Sequence, residues 1–496
     1  MKFQYKKYLL LLVIPLLASS SWAQKKKITL DEAIDLASKQ SIESFRQKNM
    51  YMARYWDYRY YKADLLPSLT LTSNPLNFNR SVNRFFIPSK DEFEYRSNEY
   101  LSSDVSLRLR QKVALTGGEI FMNSGIGYTK NLSGQENESF STTPVNIGFR
   151  QSLNGYNAMK WKAKIEPLKF EKAKKNFIQS KEQLSITTTS RYFALLSAQV
   201  EVNIAETNLA NADTLYRISE GRFKVGTLTK DGLLKMELSL LNSKVALNKA
   251  QLQLKRAQSQ LNSFLGLPKE LELECNLPKQ LPKLQVAAGA AIEMALKNNP
   301  TILNHKQRLL QEDRDVASAK AENGINADLF AQYGLNKQAK NLKEAYEKPD
   351  ESQRLEIGLN IPIVDWGKRK GRYLMAKSNR EVERATIRQE RIDFEQNIFM
   401  RVMEFNMQAG QVENAAKAND VAQMGYDVTM QRFLIGKVSV TDLNIAQQDR
   451  ERARRDYINT LNTYWRYYYQ LRQLTLFDFE SQKELTENFD TLIQEM

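Results

Sequence analysis

One histidine, His305, and one cysteine, Cys275, are all that this 496-residue chain offers among the residue types that most readily bind zinc or begin nucleophilic catalysis. They stand thirty positions apart in the sequence with no further soft ligands to complete a metal shell. No serine or cysteine has a histidine nearby to serve as its base. His305 lies in NNPTILNHKQ, where a structural or solvent-facing place on a helix surface is expected. Aspartates and glutamates are interleaved with lysines and arginines at helical spacing, the pattern of solvated helix faces and not of paired glycosidase carboxylates. There is no GxxxxGK nucleotide loop either. The chain therefore reads as no enzyme, with no metal and no cofactor, and energy for any transport has to come from another protein.

A different pattern does recur. RFKVG at Arg222–Gly226 and RFLIG at Arg432–Gly436 place Arg222, Phe223 and Gly226 each 210 positions before Arg432, Phe433 and Gly436. Each follows a tract nearly free of helix breakers, from about Ala158 to Arg222 and from Lys368 to Arg432. At 1.5 Å per residue such a helix reaches roughly 95 Å. Apolar stripes along the first tract, Ile186, Phe193, Leu196 and Val200, then Ile204, Leu209, Leu215 and Ile218, are packing positions. A second helix starts just beyond each glycine, at Asp231-Gly232-Leu233-Leu234 and at Asp442-Leu443. The motif thus marks the tip of a helical hairpin: glycine supplies the left-handed turn residue, while arginine and phenylalanine face neighbours or partners.

Upstream of each long tract the period changes from helical to two. Leu69 and Leu71, then Val105, Leu107 and Leu109, alternate with polar residues, as do segments over 119–128 and 145–150. The second half repeats this over 326–335 and again at Leu355, Ile357, Leu359, Ile361 and Ile363, with Pro362 tolerable only at an edge or rim. A polar face bearing Arg108, Arg110 and Arg150 suits a wet lumen, with the aliphatic face toward lipid. Each half opens on a short helix, ITLDEAIDLASKQ at Ile28–Gln40 with a Thr29–Glu32 capping box, and VAAGAAIEMALKNNP at Val286–Pro300 without one, at an offset of 258. Four to six strands cannot close a membrane barrel, for which eight is the practical minimum, so several copies must combine.

The first 23 residues, MKFQYKKYLLLLVIPLLASSSWA, read as a cleaved secretory signal. One cysteine permits no intrachain disulfide. The net charge of +15 falls to +12 without the three signal lysines and is spread among acidic and amide residues, which argues against a nucleic-acid partner. The expected division is signal 1–23, first repeat 24–285, second repeat 286–475 and tail 476–496.

The repeated start, LNIPIVDWGKRKGR at Leu359–Arg372, RFLIGKVSVTDLNIAQ at Arg432–Gln447, and their first-half counterparts at Asn146–Phe170 and Arg222–Leu234 resemble the TolC-like outer-membrane efflux proteins. The resemblance implies an α+β, two-repeat chain forming a homotrimer. In that arrangement a transmembrane β-barrel in the outer membrane continues as a long periplasmic α-helical barrel of coiled-coil hairpins. It further implies a periplasmic adaptor protein docking at the tips around Gly226 and Gly436, and an inner-membrane pump supplying the energy. Asp442, six positions past the second tip glycine, matches a gate aspartate of the family, whereas Ile445 replaces a second one and Val438 replaces a basic residue. The implied function is the outer-membrane channel of a tripartite efflux or secretion system, with type I protein secretion or a non-channel periplasmic coiled-coil role as alternatives. Strand number stays open between the usual twelve and an extra hairpin per copy: Ala114–Tyr128 reads as a candidate additional strand, while Asn74–Tyr100 and Asn131–Thr143 read as polar stretches longer than hairpin turns. The tail from Phe477 either packs or stays loose.

Overall fold

The computed structural model describes residues 25–133, 137–278, 281–282 and 284–494, so the signal segment 1–23 lies outside the described residues. The first repeat begins with β1 (Lys26–Ile28), α1 (Leu30–Gln40) and α2 (Ile42–Ala63). Thr29 caps α1 as its sequence predicts: its hydroxyl accepts from the Glu32 amide, and the Glu32 carboxylate accepts from the Thr29 amide at 2.9 Å. Four strands follow, β2 (Ser68–Ile87), β3 (Glu92–Val113), β4 (Gly118–Asn131) and β5 (Asn137–Ser152). The long helix α3 (Ala158–Lys224), the returning helix α4 (Lys230–Leu265) and the short β6 (Leu273–Cys275) complete the repeat.

The second repeat contains α5 (Ala288–Asn298), α6 (Pro300–Glu322), β7 (Asn326–Ala339), α7 (Leu342–Tyr346), β8 (Asp350–Asn360), α8 (Lys368–Leu434) and α9 (Val440–Thr475). The tail adds β9 (Phe477–Asp478), β10 (Lys483–Glu484) and α10 (Phe489–Gln494). The duplication is close to residue-for-residue in the helices. α1 and α5 are both 11 residues long, α3 and α8 both 67, and α4 and α9 both 36. The N-cap of α5 is Ala287, which makes no side-chain hydrogen bond, in line with the lost capping box.

Six of the strands form one antiparallel sheet in the order β2-β3-β4-β5-β7-β8, beside the two-stranded pairs β1–β6 and β9–β10. Among the described residues this sheet holds six strands, and the candidate strand over 114–128 is real as β4, with 114–117 turning into it. Two expectations are corrected here. Asn74–Tyr100 and Asn131–Thr143 are mostly strand, because β2 and β3 pair from Ser68↔Arg110 to Ile87↔Glu92 and β4 with β5 up to Asn131↔Asn137. Asn, Ser and Arg weaken the hydrophobic alternation, but a ladder satisfies the backbone equally well with either face wet. Conversely, β8 stops at Asn360, so Ile361 to Ile363 continue the alternation without pairing. Pro362 has no N–H to offer a ladder, and it sits just past the strand end.

The chain divides into two compact units, each taking segments from both repeats. One holds residues up to Arg46, Lys181–Gln285 and Glu404–Gln470. Its core includes Tyr192, Phe193, Leu195, Leu261, Phe405 and Tyr464, all essentially inaccessible to solvent. The Tyr192 hydroxyl lies 2.9 Å from the Ile28 carbonyl and 2.6 Å from that of Asn276, tying the parallel β1–β6 pair to α3. The other unit holds Gln47–Ser180, Val286–Met403 and the tail from Leu471, and it contains the whole sheet. There the tail is packed: the Phe489 ring lies tilted against Tyr51 with centroids 4.9 Å apart, and Tyr51 also meets Phe177 at 5.6 Å.

Candidate functional site

Residues directly opposed across an antiparallel ladder point to the same face of the sheet. The pairing Ser68↔Arg110↔Phe121↔Gly148↔Gln332↔Arg354 can be followed across all six strands. Next to it run Thr70↔Arg108↔Asn123↔Asn146↔Gly334 and Glu119↔Arg150↔Phe330↔Glu356. Arg108, Arg110 and Arg150 thus share one face, as their sequence parity predicts, and Arg354 joins them. The face is braced by local contacts. Arg108 Nε donates to Asn123 Oδ1 at 3.0 Å, and Arg354 pairs with Glu356 at 2.6 Å. The Phe121 and Phe330 rings stack with centroids 5.8 Å apart, and the guanidinium groups of Arg150 and Arg354 each lie 5.6 Å from the Phe330 ring centre. Gly148 makes room for this: a Cβ there would stand 2.2 Å from Phe121 Cζ.

The opposite face carries Leu69, Leu71, Leu107, Val105, Ile120, Met122, Ile147, Leu355, Ile357 and Leu359, every one exposed in the single chain. At the end of β8 the exposed apolar run extends through Ile363 and Trp366, more than 90% accessible. So large a continuous apolar surface is costly in water and calls for a nonaqueous neighbour. Among the described residues no helix is long and apolar enough to cross a membrane.

The two hairpin tips belong to the first unit. At the first, the Thr227 amide donates to the Arg222 carbonyl at 2.9 Å and the Gly226 amide to that of Phe223 at 3.0 Å. At the second, Lys437 donates to Arg432 and Gly436 to Phe433, both at 2.9 Å. These are paired Schellman motifs, which need a left-handed residue at the turn; Gly226 has φ +75° and Gly436 +77°. The phenylalanines, equivalent in sequence, part ways. Phe433 is buried with Leu215, Met236, Tyr426 and Leu443, whereas Phe223 remains 40% exposed. Arg222 reaches across to donate to the Leu434 carbonyl at 3.4 Å, and Arg432 is exposed. Val225, Leu434 and Ile435 leave the double tip with an apolar crown.

Asp442 lies in the first turn of α9 and is exposed. Ser439 caps the helix: its hydroxyl accepts from the Asp442 amide at 3.2 Å, and Asp442 Oδ2 accepts from the Ser439 amide and hydroxyl at 3.0 and 2.7 Å. These hydrogen bonds hold the carboxyl below the usual aspartate range. The first repeat preserves the cap, with the Thr229 hydroxyl accepting from the Gly232 amide at 3.2 Å, but glycine replaces the carboxylate. Only the second tip therefore carries this acid.

The sole histidine is placed differently from its expected helix-surface site. His305 is 6% exposed, and its Nε2 lies 3.0 Å from Glu390, which also pairs with Arg308 at 2.7 Å. Burial pushes its pKa down, with Glu390 opposing. Nothing in NNPTILNHKQ signals a salt-bridge partner 85 positions away on another helix. Burial likewise pushes the Cys275 thiol up to about 12, which leaves it inert.

Residues 291–475 match the family model of outer membrane efflux proteins. No curated protein sequence matches the chain. Its fold is shared by the CmeC outer membrane channel of Campylobacter jejuni, with TM-score 0.66 and 16% identity over 94% of this chain and 88% of that one. A membrane protein from Pseudomonas aeruginosa matches with TM-score 0.64 and 14% identity over 92% of both chains. The open state of the MtrE outer membrane channel of Neisseria gonorrhoeae matches with TM-score 0.59 and 14% identity, over 92% of this chain and 89% of that one.

Proposed function

From the match of residues 291–475 to the family model of outer membrane efflux proteins, together with a fold shared along the chain with solved outer-membrane channels, we propose that this protein is the outer-membrane channel of a tripartite efflux system. The observation that carries the reading is the sorting of one sheet into an arginine-bearing polar face and a predominantly apolar one. That is the sidedness of a membrane barrel, lipid outside and water within. The chain is a passive conduit located in the outer membrane, with a long periplasmic helical portion.

Three copies assemble it. Support comes from two exposed heptad stripes in the first unit. On α4, Leu234, Leu238, Leu241, Val245 and Leu252 are each more than half exposed; so are Val421, Met424 and Val428 on α8 and Ile435 just past its end. Their spacings of three, four and seven are those of coiled-coil seams. The α4 stripe is flanked by Lys244, Lys249 and Arg256, and the α8 stripe by Glu413, Asp420 and Asp427. Opposite charge beside matching apolar stripes fits α4 of one copy against α8 of the next.

The crown of Phe223, Val225, Leu434 and Ile435, rimmed by Arg222 and Arg432 and turned by Gly226 and Gly436, is the docking surface for a periplasmic adaptor coupled to an inner-membrane pump. Three Asp442 carboxylates, each oriented by its Ser439 cap, form the periplasmic gate. They close the entrance by holding a cation between them, and displacement of the α8–α9 hairpin by the adaptor opens it.

The test is extraction from outer membranes followed by planar-bilayer recording. Detergent-dependent extraction, a trimeric mass and ion conductance are expected. Extraction by salt alone, with no conductance, would sink the channel. Deleting the gene should sensitise cells to small toxic compounds; a loss limited to secreted proteins would redirect the assignment to protein secretion.

A further inference from the structure

The sheet of one chain ends in two open ladders, the free edges of β2 and β8. Long exposed edges are reactive surfaces that native proteins pair or protect. Because the sheet has six antiparallel strands, its two edge strands run in opposite directions, and β8 of one copy can meet β2 of the next antiparallel. The inner strand β4 offers no such edge: β3 fills it along the whole stretch from Val113↔Gly118 to Tyr100↔Asn131.

We infer that three copies of this chain close an eighteen-stranded barrel through β8–β2 pairing, so that the β2–β3 hairpin is wall and not ornament. The inference rests on the trimeric channel reading above and adds its strand count and seam. The geometry within one sheet gives an independent check. Followed straight across the ladders, the row that starts at Ser68, the first residue of β2, arrives at Arg354, six residues short of the end of β8 at Asn360. If the strand ends of neighbouring copies lie level, each copy contributes a stagger of six residues. Six residues of strand rise over six strand spacings is roughly 20 Å over 29 Å, a tilt of about 35°. That falls at the lower end of the range for membrane barrels, and the same count keeps Ser68 and Asn360, both on the polar face, on one side of the wall. Closure at this tilt makes a backbone cylinder about 34 Å across, against about 23 Å for twelve strands.

The upper part of β2 is outside this pairing. With Ser68 level with Asn360, β8 reaches only as far as Phe78 at its own start, Asp350. Beyond it the β2–β3 ribbon stands as a two-stranded extension guarded by the Arg80–Glu99 ion pair at 3.0 Å and by Arg84 over the Phe93 ring at 3.9 Å. Such charged and aromatic cover is how a free edge is kept from further pairing.

Two measurements on the full-length detergent-extracted protein test this. An end-on image by electron cryomicroscopy should count eighteen strands. Twelve strands in an intact trimer, with β2 and β3 outside the wall, would overturn the inference and leave the channel standing. A monomer or dimer in detergent would remove the channel reading itself. The seam is tested by the double variant Leu71→Cys with Ile357→Cys, which should give a covalent trimer on oxidation while each single variant does not. A covalent trimer from Met122→Cys with Ile357→Cys in its place would put β4 at the seam and refute the pairing.

Discussion

Asp442 serves two physical roles that substitution can separate. As the third residue of α9 it completes a capping box with Ser439, and as an exposed carboxylate it is the proposed gate. Asp442→Asn keeps an acceptor for the Ser439 amide but removes the charge, whereas Asp442→Ala removes both and loosens the helix start. Both variants should lose block by divalent cations in bilayer recordings. If the asparagine variant is blocked like the parent while only the alanine variant changes, the cap and not the charge governs conduction. His305 makes a separate prediction, of acid sensitivity. Its folded-state pKa is depressed below 6.5 by burial, so just below that pH the unfolded chain takes up a proton that the folded chain refuses, and stability falls as pH falls. Glu390, held below its ordinary 4.5 by Arg308, adds loss in the same direction at lower pH. Thermal unfolding between pH 7 and 5 should show a declining midpoint, and His305→Gln should flatten it. A parent midpoint independent of pH over that range would refute the assignment of a neutral, buried imidazole.

At the scale of the element, the tips are where glycine is required. Gly436 at φ +77° has open space around its missing Cβ, so the cost of Gly436→Ala is backbone strain alone, about 1 kcal/mol. Hydrogen exchange of the Lys437 amide, which donates to Arg432, should quicken about fivefold, while Gly436→Asn, better tolerated in this conformation, should change it less. Equal protection in the alanine variant would mean the turn is held by something other than its dihedral. The tips were legible because one residue type at one spacing encodes them. The strands were only partly so: β8 alternates apolar and polar residues from Leu355, while in the upper parts of β2 and β3 the alternation of Phe78, Val82 and Phe86 and of Phe93 and Tyr95 is broken by Arg80, Arg84 and Ser97 on the same face. One signal did exist. The repeat offset falls from 258 at the opening helices to 210 at the long ones, and the 48 residues by which the first half is longer fit an additional strand pair such as β2 and β3.

For the whole molecule, assembly decides whether the exposed surfaces make sense. The α4 stripe is half bare in a single chain, yet its apolar residues are regularly spaced. Leu238→Asp with Val245→Asp should leave the helix content unchanged by circular dichroism and convert the detergent-extracted trimer to monomer. A trimer of unchanged stability would place the subunit seam elsewhere. The same variant should abolish conductance, because neither six strands nor four long helices enclose a lumen.

The sequence alone determined the duplication, the hairpin tips, the helix spans and the polarity of the sheet faces, because each is written in local spacing: 3.6 for helices, two for strands, a glycine for a left-handed turn. It also located Arg108, Arg110 and Arg150 on one face, since parity survives any choice of partner strand. Only the tertiary structure decided that Asn74–Tyr100 is largely paired strand, that Phe433 is buried while Phe223 is not, that His305 meets Glu390, and that Asp442 is held by its own cap. Those outcomes depend on which distant segments come together to exclude water or satisfy backbone groups, and neither the period nor the composition of a single stretch carries that information.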